Sequence, residues 1–240
     1  MGQFWNIFLW LVVGFLVADY PLQLNLVFKI RYKYRFGGLL HVGIHFLAAL
    51  LFVVPYLAHW QMWALIAATI FIHYFVDTVN KKNIFMFFAD QAVHIGLIAG
   101  VAFLGRNLEP FKLPDVAAVW YFNRAVALYA IGYVAATFAG TIIIYFIKMT
   151  FRRDYNGRAI LGYEKATGVL ARAWVVTAVI LGFKVSPGFY LAAPVPDLIR
   201  LYGVLARRGD DRHYRNVYPV DILISFLYAA AIGVALTLVK

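Results

Sequence analysis

Long apolar runs alternate with short polar segments along most of this chain. Each run has roughly the 17–25 residues that an α-helix needs to cross about 30 Å of hydrocarbon, so the pattern predicts helices and not a barrel. The predicted spans are 4–20, 39–58, 62–80, 84–104, 120–148, 167–185 and 219–239, with a proline-interrupted candidate at 188–206. The predicted fold class is therefore all-α, a polytopic transmembrane helical bundle of seven to eight spans with no soluble domain.

Composition and charge support a membrane protein. Apolar residues make up 64% of the chain and charged residues 14%, against about 25% charged in soluble domains. The net charge of +11 comes from Lys and Arg in short connections, where topology accounts for them, so nucleic-acid binding is not expected. These cationic connections are 29–35, 81–82, 148–165 and 200–215. By the positive-inside rule they are cytoplasmic, and the N-terminus is outside.

Polar side chains, all but one of them ionisable, occur in pairs four residues apart within or beside the first four spans. The pairs are Asp19/Gln23, His41/His45, His73/Asp77 and Asp90/His94. Four residues are slightly more than one helical turn, so both members of a pair lie on one face. Because the chain reverses at each connection, all four pairs fall at the cytoplasmic ends of their helices. We expect them to converge in one layer, within a half at 1–105, while 106–240 forms a second helical half for packing or substrate access.

This set of side chains predicts a metal site. A single histidine in a transmembrane helix is more often a hydrogen-bonded packing residue, but charged groups in hydrocarbon are costly, and seven acids and histidines at one depth favour a functional site. Nitrogen and oxygen ligands without sulfur suit Zn²⁺, Mn²⁺ or Fe²⁺, since the chain has no cysteine. The candidate ligands are His41, His45, His73, Asp77, Asp90 and His94. We assign Asp19 and Asp77 as candidate catalytic groups, Gln23 and Gln91 as residues that orient the ligands, and Lys29 and Lys81 as substrate contacts.

The order of these motifs carries a family resemblance. Asp19-x3-Gln23 is followed by Lys29, His41-x3-His45, His73-x3-Asp77 with Lys81, and Asp90-Gln91-x2-His94. With these motifs the chain, mainly over residues 1–105, resembles a bacterial inner-membrane family described only as a domain of unknown function, number 3307. The resemblance implies a multi-pass protein of the bacterial inner (plasma) membrane, but no reaction. The pattern is also distantly similar to membrane-bound metal-dependent hydrolases, which implies an activity by analogy alone.

Three functions remain open at this point. The first is metal-dependent hydrolysis or transfer on a phosphate or lipid-type substrate, because a bound metal lowers the pKa of its water towards about 7. The second is a divalent-metal or proton-coupled transporter, since intramembrane acids and histidines also form ion pathways. The third is a non-catalytic accessory subunit of a larger membrane complex. The expected partners are the lipid bilayer, an anionic lipid or phosphate substrate, and a second copy or a larger complex.

Overall fold

The chain folds into two compact helical units, residues 1–131 and 132–240. A computed structural model describes residues 2–22, 27, 30, 34, 36–78, 83–151, 162–206 and 212–239, and for 162–165, 204 and 212–218 it describes the backbone alone. Every regular element within these ranges is helical, which confirms the all-α class. The first unit extends beyond the division that the sequence suggested near residue 105.

Four long helices and one short helix build the first unit. They are α1 (Gly2–Asp19), α2 (Gly37–Phe52), α3 (Trp60–Val76), α4 (Ile84–Leu104) and α5 (Asp115–Tyr121), and α6 (Arg124–Val134) follows them. Local sequence explains two of these boundaries. The Asn83 side chain accepts a hydrogen bond from the Met86 amide at 2.9 Å and caps the start of α4. Pro55 has no N–H to donate to the Leu51 carbonyl, so the hydrogen-bond pattern of α2 cannot continue through it. The helix α2 ends at Phe52, and a 3₁₀ turn at Val54–Tyr56 follows.

The four long helices form an up-and-down bundle. Each packs on two others, in the cyclic order α1, α2, α3, α4 and back to α1. Gly14 lies where α1 and α2 approach closely, since a Cβ there would lie 3.3 Å from the carbonyl oxygen of Ala48. Towards the other end of this pair, Asp19 faces His41, so α1 and α2 run antiparallel. This antiparallel order brings the C-terminal end of α1 beside the N-terminal ends of α2 and α4.

Residues beyond α4 close the opposite end of the bundle. Trp10 Nε1 of α1 donates a hydrogen bond to the Tyr121 carbonyl at 2.6 Å, and the Tyr121 hydroxyl donates to the Phe52 carbonyl at 2.9 Å. The Tyr56 hydroxyl donates to Gln3 Oε1 at 2.5 Å. These contacts explain why the first unit continues past residue 105.

The second unit contains α7 (Gly140–Phe151), α8 (Gly162–Lys184), α9 (Phe189–Ala192), α10 (Val195–Ala206) and α11 (Arg212–Thr237). The helices α8 and α11 pack along each other, and α7 and α10 pack against them. The proline-interrupted candidate span at 188–206 forms the two short helices α9 and α10. The break between them includes Pro194, as the sequence indicated.

A π turn at Ala135–Ala139 joins α6 to α7 within one continuous helix. Side chains from other helices bind its carbonyl groups. Arg172 donates to the Thr137 carbonyl from Nε at 3.1 Å and from Nη2 at 2.6 Å, and the Tyr228 hydroxyl donates to the Ala135 carbonyl at 3.1 Å. Arg172 is only 2% exposed. The buried guanidinium therefore satisfies backbone acceptors at the wide turn.

Four helices in the described ranges are long and apolar enough to cross a membrane, fewer than the seven to eight predicted. They are Ile84–Leu104, Arg124–Phe151, Ala166–Lys184 and Pro219–Thr237. Three further apolar helices, Gln3–Asp19, Gly37–Phe52 and Trp60–Val76, are shorter. The lengths of α2 and α3, 16 and 17 residues, correspond to about 24–26 Å of helix, against about 30 Å of hydrocarbon.

Candidate metal centre

Histidine and aspartate side chains from all four long helices meet at one end of the first bundle. Asp19 is the last residue of α1, His41 lies in the second turn of α2, and His45 lies near the middle of α2. His73 lies in the last turn of α3, and Asp77 follows that helix directly. The fourth helix contributes Asp90 from its first half and His94 from its middle. The i, i+4 spacing turns each pair inward because the helices that carry them pack in a ring.

Two carboxylates lie between the imidazoles. Asp19 Oδ1 is 3.5 Å from Nε2 of both His41 and His45. Asp77 Oδ2 is 3.2 Å from Nε2 of His41 and 3.4 Å from Nε2 of His73. Neighbouring ligands in a tetrahedral zinc site, with bonds of about 2.1 Å, are about 3.4 Å apart. The nitrogen and oxygen atoms therefore have the spacing of ligands around an ion.

The imidazoles are deeply buried and make few hydrogen bonds. His41, His45, His73 and His94 are each at most 4% exposed. Within the described part of the chain, none of their four Nε2 atoms makes a hydrogen bond, although those of His41, His45 and His73 lie 3.2–3.5 Å from a carboxylate oxygen. Among the described residues Nε2 of His94 has no such contact, and a buried polar atom left in this way costs about 1–3 kcal/mol. An ion bound by these atoms would remove that cost.

His94 has a defined tautomer. Its Nδ1 lies 2.8 Å from the carbonyl oxygen of Asp90, one turn earlier in α4. A carbonyl oxygen can only accept, so Nδ1 carries the hydrogen, and in the neutral ring the lone pair is on Nε2. Nε2 is thus the free ligand atom, and it belongs to the group that can hold an ion. Metal-binding histidines commonly donate their other ring nitrogen in this way.

A short hydrogen-bond chain lies behind His94. The Tyr20 hydroxyl donates to Gln91 Oε1 at 3.0 Å, and Gln91 Nε2 donates to Asp90 Oδ2 at 3.1 Å. That carboxylate oxygen is 3.6 Å from His94 Nδ1. Gln91 therefore reaches the ligand histidine through Asp90, and Tyr20 is a participant that the sequence reasoning missed. Its only sequence signal was its position directly after Asp19.

Aromatic contacts hold the imidazoles in place. Phe15 of α1 stacks on His94 with ring centroids 5.2 Å apart, and it also contacts His45 and His73 at 5.5 and 6.2 Å. The His45 and His73 rings are 4.3 Å apart, as are those of His73 and His94. One phenylalanine one turn before Asp19 thus supports three of the four histidines.

Two overlapping groups in the described chain could hold an ion. His41, His45 and His73 form one, and His73, Asp77 and His94 form the other, with ligand atoms within 4.8 Å of one another in each. His73 belongs to both groups. Five of the six predicted ligands are thus brought together.

The remaining predicted residues are placed differently. Asp90 is in neither group, and its carboxylate lies on the Nδ1 side of His94, away from the free Nε2. Asp19 is in neither group, although it contacts two of the histidines. Gln23, Lys29 and Lys81 lie outside the described residues. Their predicted roles, orienting a ligand for Gln23 and contacting substrate for the two lysines, stay predictions.

Among known proteins, the chain matches one family model. No curated protein and no solved structure matches the chain. Residues 7–112 match the family described as Protein of unknown function (DUF3307), which confirms the resemblance that the four motifs carry over this part of the chain.

Proposed function

We propose that this protein is an integral membrane metalloprotein that hydrolyses or transfers a phosphate or lipid-type ester at the His/Asp centre of the first bundle. The observation that carries the proposal is the convergence of four buried imidazoles with two carboxylates, in which no Nε2 atom makes a hydrogen bond to another described residue. Ion pairs between protonated histidines and the two acids would compensate for part of this burial, and a bound divalent ion would compensate for all four nitrogens.

Each residue near the centre has a role in this proposal. His41, His45, His73, His94 and Asp77 hold a divalent ion, for which Zn²⁺, Mn²⁺ and Fe²⁺ fit the nitrogen and oxygen donors. When bound, such an ion is a Lewis acid that polarises an ester and activates water.

The remaining acids and two lysines also have roles in this proposal. Asp19 is 17% exposed, more than the 9% of Asp77, and is the better placed of the two acids to exchange protons with solvent as a general base. Asp90 keeps the proton of His94 on Nδ1. Lys29 and Lys81 follow the acids Asp19 and Asp77 in sequence, and we assign them to an anionic head group.

The protein lies in the bacterial inner membrane in this proposal, with its N-terminus outside. Besides the four long apolar helices, the shorter α1, α2 and α3 also insert. Their outward faces carry large apolar side chains, for example Leu47, Phe71 and Phe75, which are 66%, 67% and 53% exposed. A bilayer accommodates short helices by local thinning at modest cost.

Metal content tests the proposal directly. We expect the detergent-purified protein, analysed for elements before and after a chelator, to contain at least one equivalent of Zn, Mn or Fe. The substitution His45→Ala should release it, and chromogenic phosphate or carboxylate esters should be hydrolysed only by the metal-loaded wild type. His59→Ala is the matched control, since His59 is partly buried at the opposite end of the bundle, where its Nε2 donates to the Glu109 carbonyl at 2.7 Å. Full metal retention in His45→Ala would contradict the proposal.

Buried charges in the second unit favour one alternative function, transport of a divalent ion. Arg172 lies within the apolar helix Ala166–Lys184, and Lys148 pairs with Asp221 inside two other candidate spans. Charges inside spans often line ion pathways. Uptake of Mn²⁺ or Zn²⁺ into proteoliposomes that is abolished by Asp77→Asn would support this function over hydrolysis.

A further inference from the structure

A cavity inside the first bundle opens directly onto the metal centre. His45, His73 and His94 line one part of it, and the rest is largely apolar, with Leu11, Ile66 and Val101 on three different helices. The volume is about 40 Å³, larger than the about 10–15 Å³ that one water requires. Protein interiors contain few voids of this size.

The cavity is elongated along the helices of the bundle. It runs from His73 to Ile66 along α3 and from His94 to Val101 along α4, seven residues in each case, which is about 10 Å of helix. The imidazoles lie at one part of it, and the remaining wall follows the helices away from the carboxylates. Of the other lining residues, only Thr69 is polar. Such a wall favours an elongated apolar group over water or an ion.

We propose that this cavity binds the apolar chain of the substrate, so that the reacting ester lies at the imidazoles and the chain lies along the bundle axis. The inference rests on the proposed function, and it narrows the substrate to esters that carry a short acyl or alkyl chain. A head group alone would leave the cavity unfilled. A chain thicker than a linear one would clash with Phe15, which borders the cavity and packs on the histidines.

Alkyl hydroxamates of graded length provide a probe, because the hydroxamate binds a divalent metal and the alkyl chain reports on the cavity. The protein is loaded with Co²⁺, and binding of acetohydroxamate, butanohydroxamate and hexanohydroxamate is followed by the visible absorbance of the ion. Ala49→Phe places a ring in the cavity, since Ala49 lines it one turn beyond His45. Ala68→Phe is the matched control, because Ala68 is exposed on α3.

The alkyl chain length of the hydroxamate determines the effect expected for each variant. Burying one methylene changes affinity about fourfold, so a ring that displaces two methylenes should weaken hexanohydroxamate binding more than about tenfold. Acetohydroxamate should bind all three proteins within about twofold. Reporting each affinity as the ratio of variant to wild type cancels partition of the probe into detergent. The control Ala68→Phe should give a ratio near one at every length.

A second variant covers the case in which Ala49→Phe does not fold. Ile66→Ala enlarges the far end of the cavity and should extend the gain in affinity to chains about two methylenes longer than in the wild type. Equal weakening of all three hydroxamates by Ala49→Phe, or an unchanged length optimum in Ile66→Ala, overturns the inference and leaves the metal centre standing. Failure of the wild type to retain Co²⁺ overturns the proposed function as well.

Discussion

Replacing Asp77 by asparagine tests the metal centre through its effect on stability. The Asp77 carboxylate oxygen lies 3.2 Å from Nε2 of His41 and 3.4 Å from Nε2 of His73, so it is the acid in closest contact with the predicted ligands. Asparagine has nearly the same shape but is neutral and is a weak metal ligand. The substitution therefore removes a ligand while it leaves the packing of the bundle in place.

The expected loss of zinc affinity in Asp77→Asn follows from the energetics of zinc sites. In a zinc site with four protein ligands, the ligands together contribute about 10–16 kcal/mol, or about 2.5–4 kcal/mol each. On this scale the loss of one ligand raises the dissociation constant about 100- to 1000-fold. At a zinc concentration about 1000 times the wild-type dissociation constant, zinc stabilises the wild type by about 4 kcal/mol. For Asp77→Asn the same concentration gives about 0.4–1.4 kcal/mol.

Thermal unfolding in detergent, with and without zinc, measures this difference. A loss of about 3 kcal/mol corresponds to a zinc-induced rise in Tm that is about 6–12 °C smaller in the variant. Asp115→Asn is the control, since it removes the same charge from an exposed position at the start of α5. A zinc-induced shift in Asp77→Asn as large as in the wild type would refute the assignment of Asp77 as a ligand.

Three further predictions concern the surroundings of the site and the topology. Tyr20→Phe removes the donor to Gln91 and should lower zinc affinity about tenfold in a chelator competition, whereas an unchanged affinity would show that the hydroxyl serves packing alone. Arg172→Met should lower the free energy of unfolding by about 3 kcal/mol without changing the metal content, and loss of metal would contradict the separation of these sites. A Cys at Glu109 should react with an impermeant maleimide on intact cells and a Cys at Thr78 only after permeabilisation, whereas the reverse would invert the topology.

The sequence was sufficient to predict which histidine and aspartate side chains would come together. Helix periodicity puts residues four apart on one face, and reversal of the chain brings the C-terminal end of one helix beside the N-terminal end of the next. Those two facts predicted that His41 and His45 would meet His73, Asp77 and His94, as they do. Helix periodicity and chain reversal do not depend on how side chains pack.

Details that depend on packing could not be predicted in this way. Asp90 precedes His94 by the same four residues by which Asp77 follows His73, but the Asp90 carboxylate lies on the Nδ1 side of its imidazole and the Asp77 carboxylate on the Nε2 side. The cavity depends on how side chains from four helices fill the interior. The end of α2 at Phe52, in contrast, could have been predicted from Pro55. The apolar run continues past this proline, so the predicted span extended to residue 58.

The π turn at Ala135–Ala139 gives the second unit one place inside a helix where the chain can lose a residue. A π turn contains one residue more than an α-helix of the same rise, so deletion of a single residue there would give an ordinary helix. The residues that follow would keep nearly the same orientation, and Lys148 would still face Asp221. The carbonyl groups of Thr137 and Ala135, which Arg172 and Tyr228 now bind, would instead accept the hydrogen bonds of the helix itself.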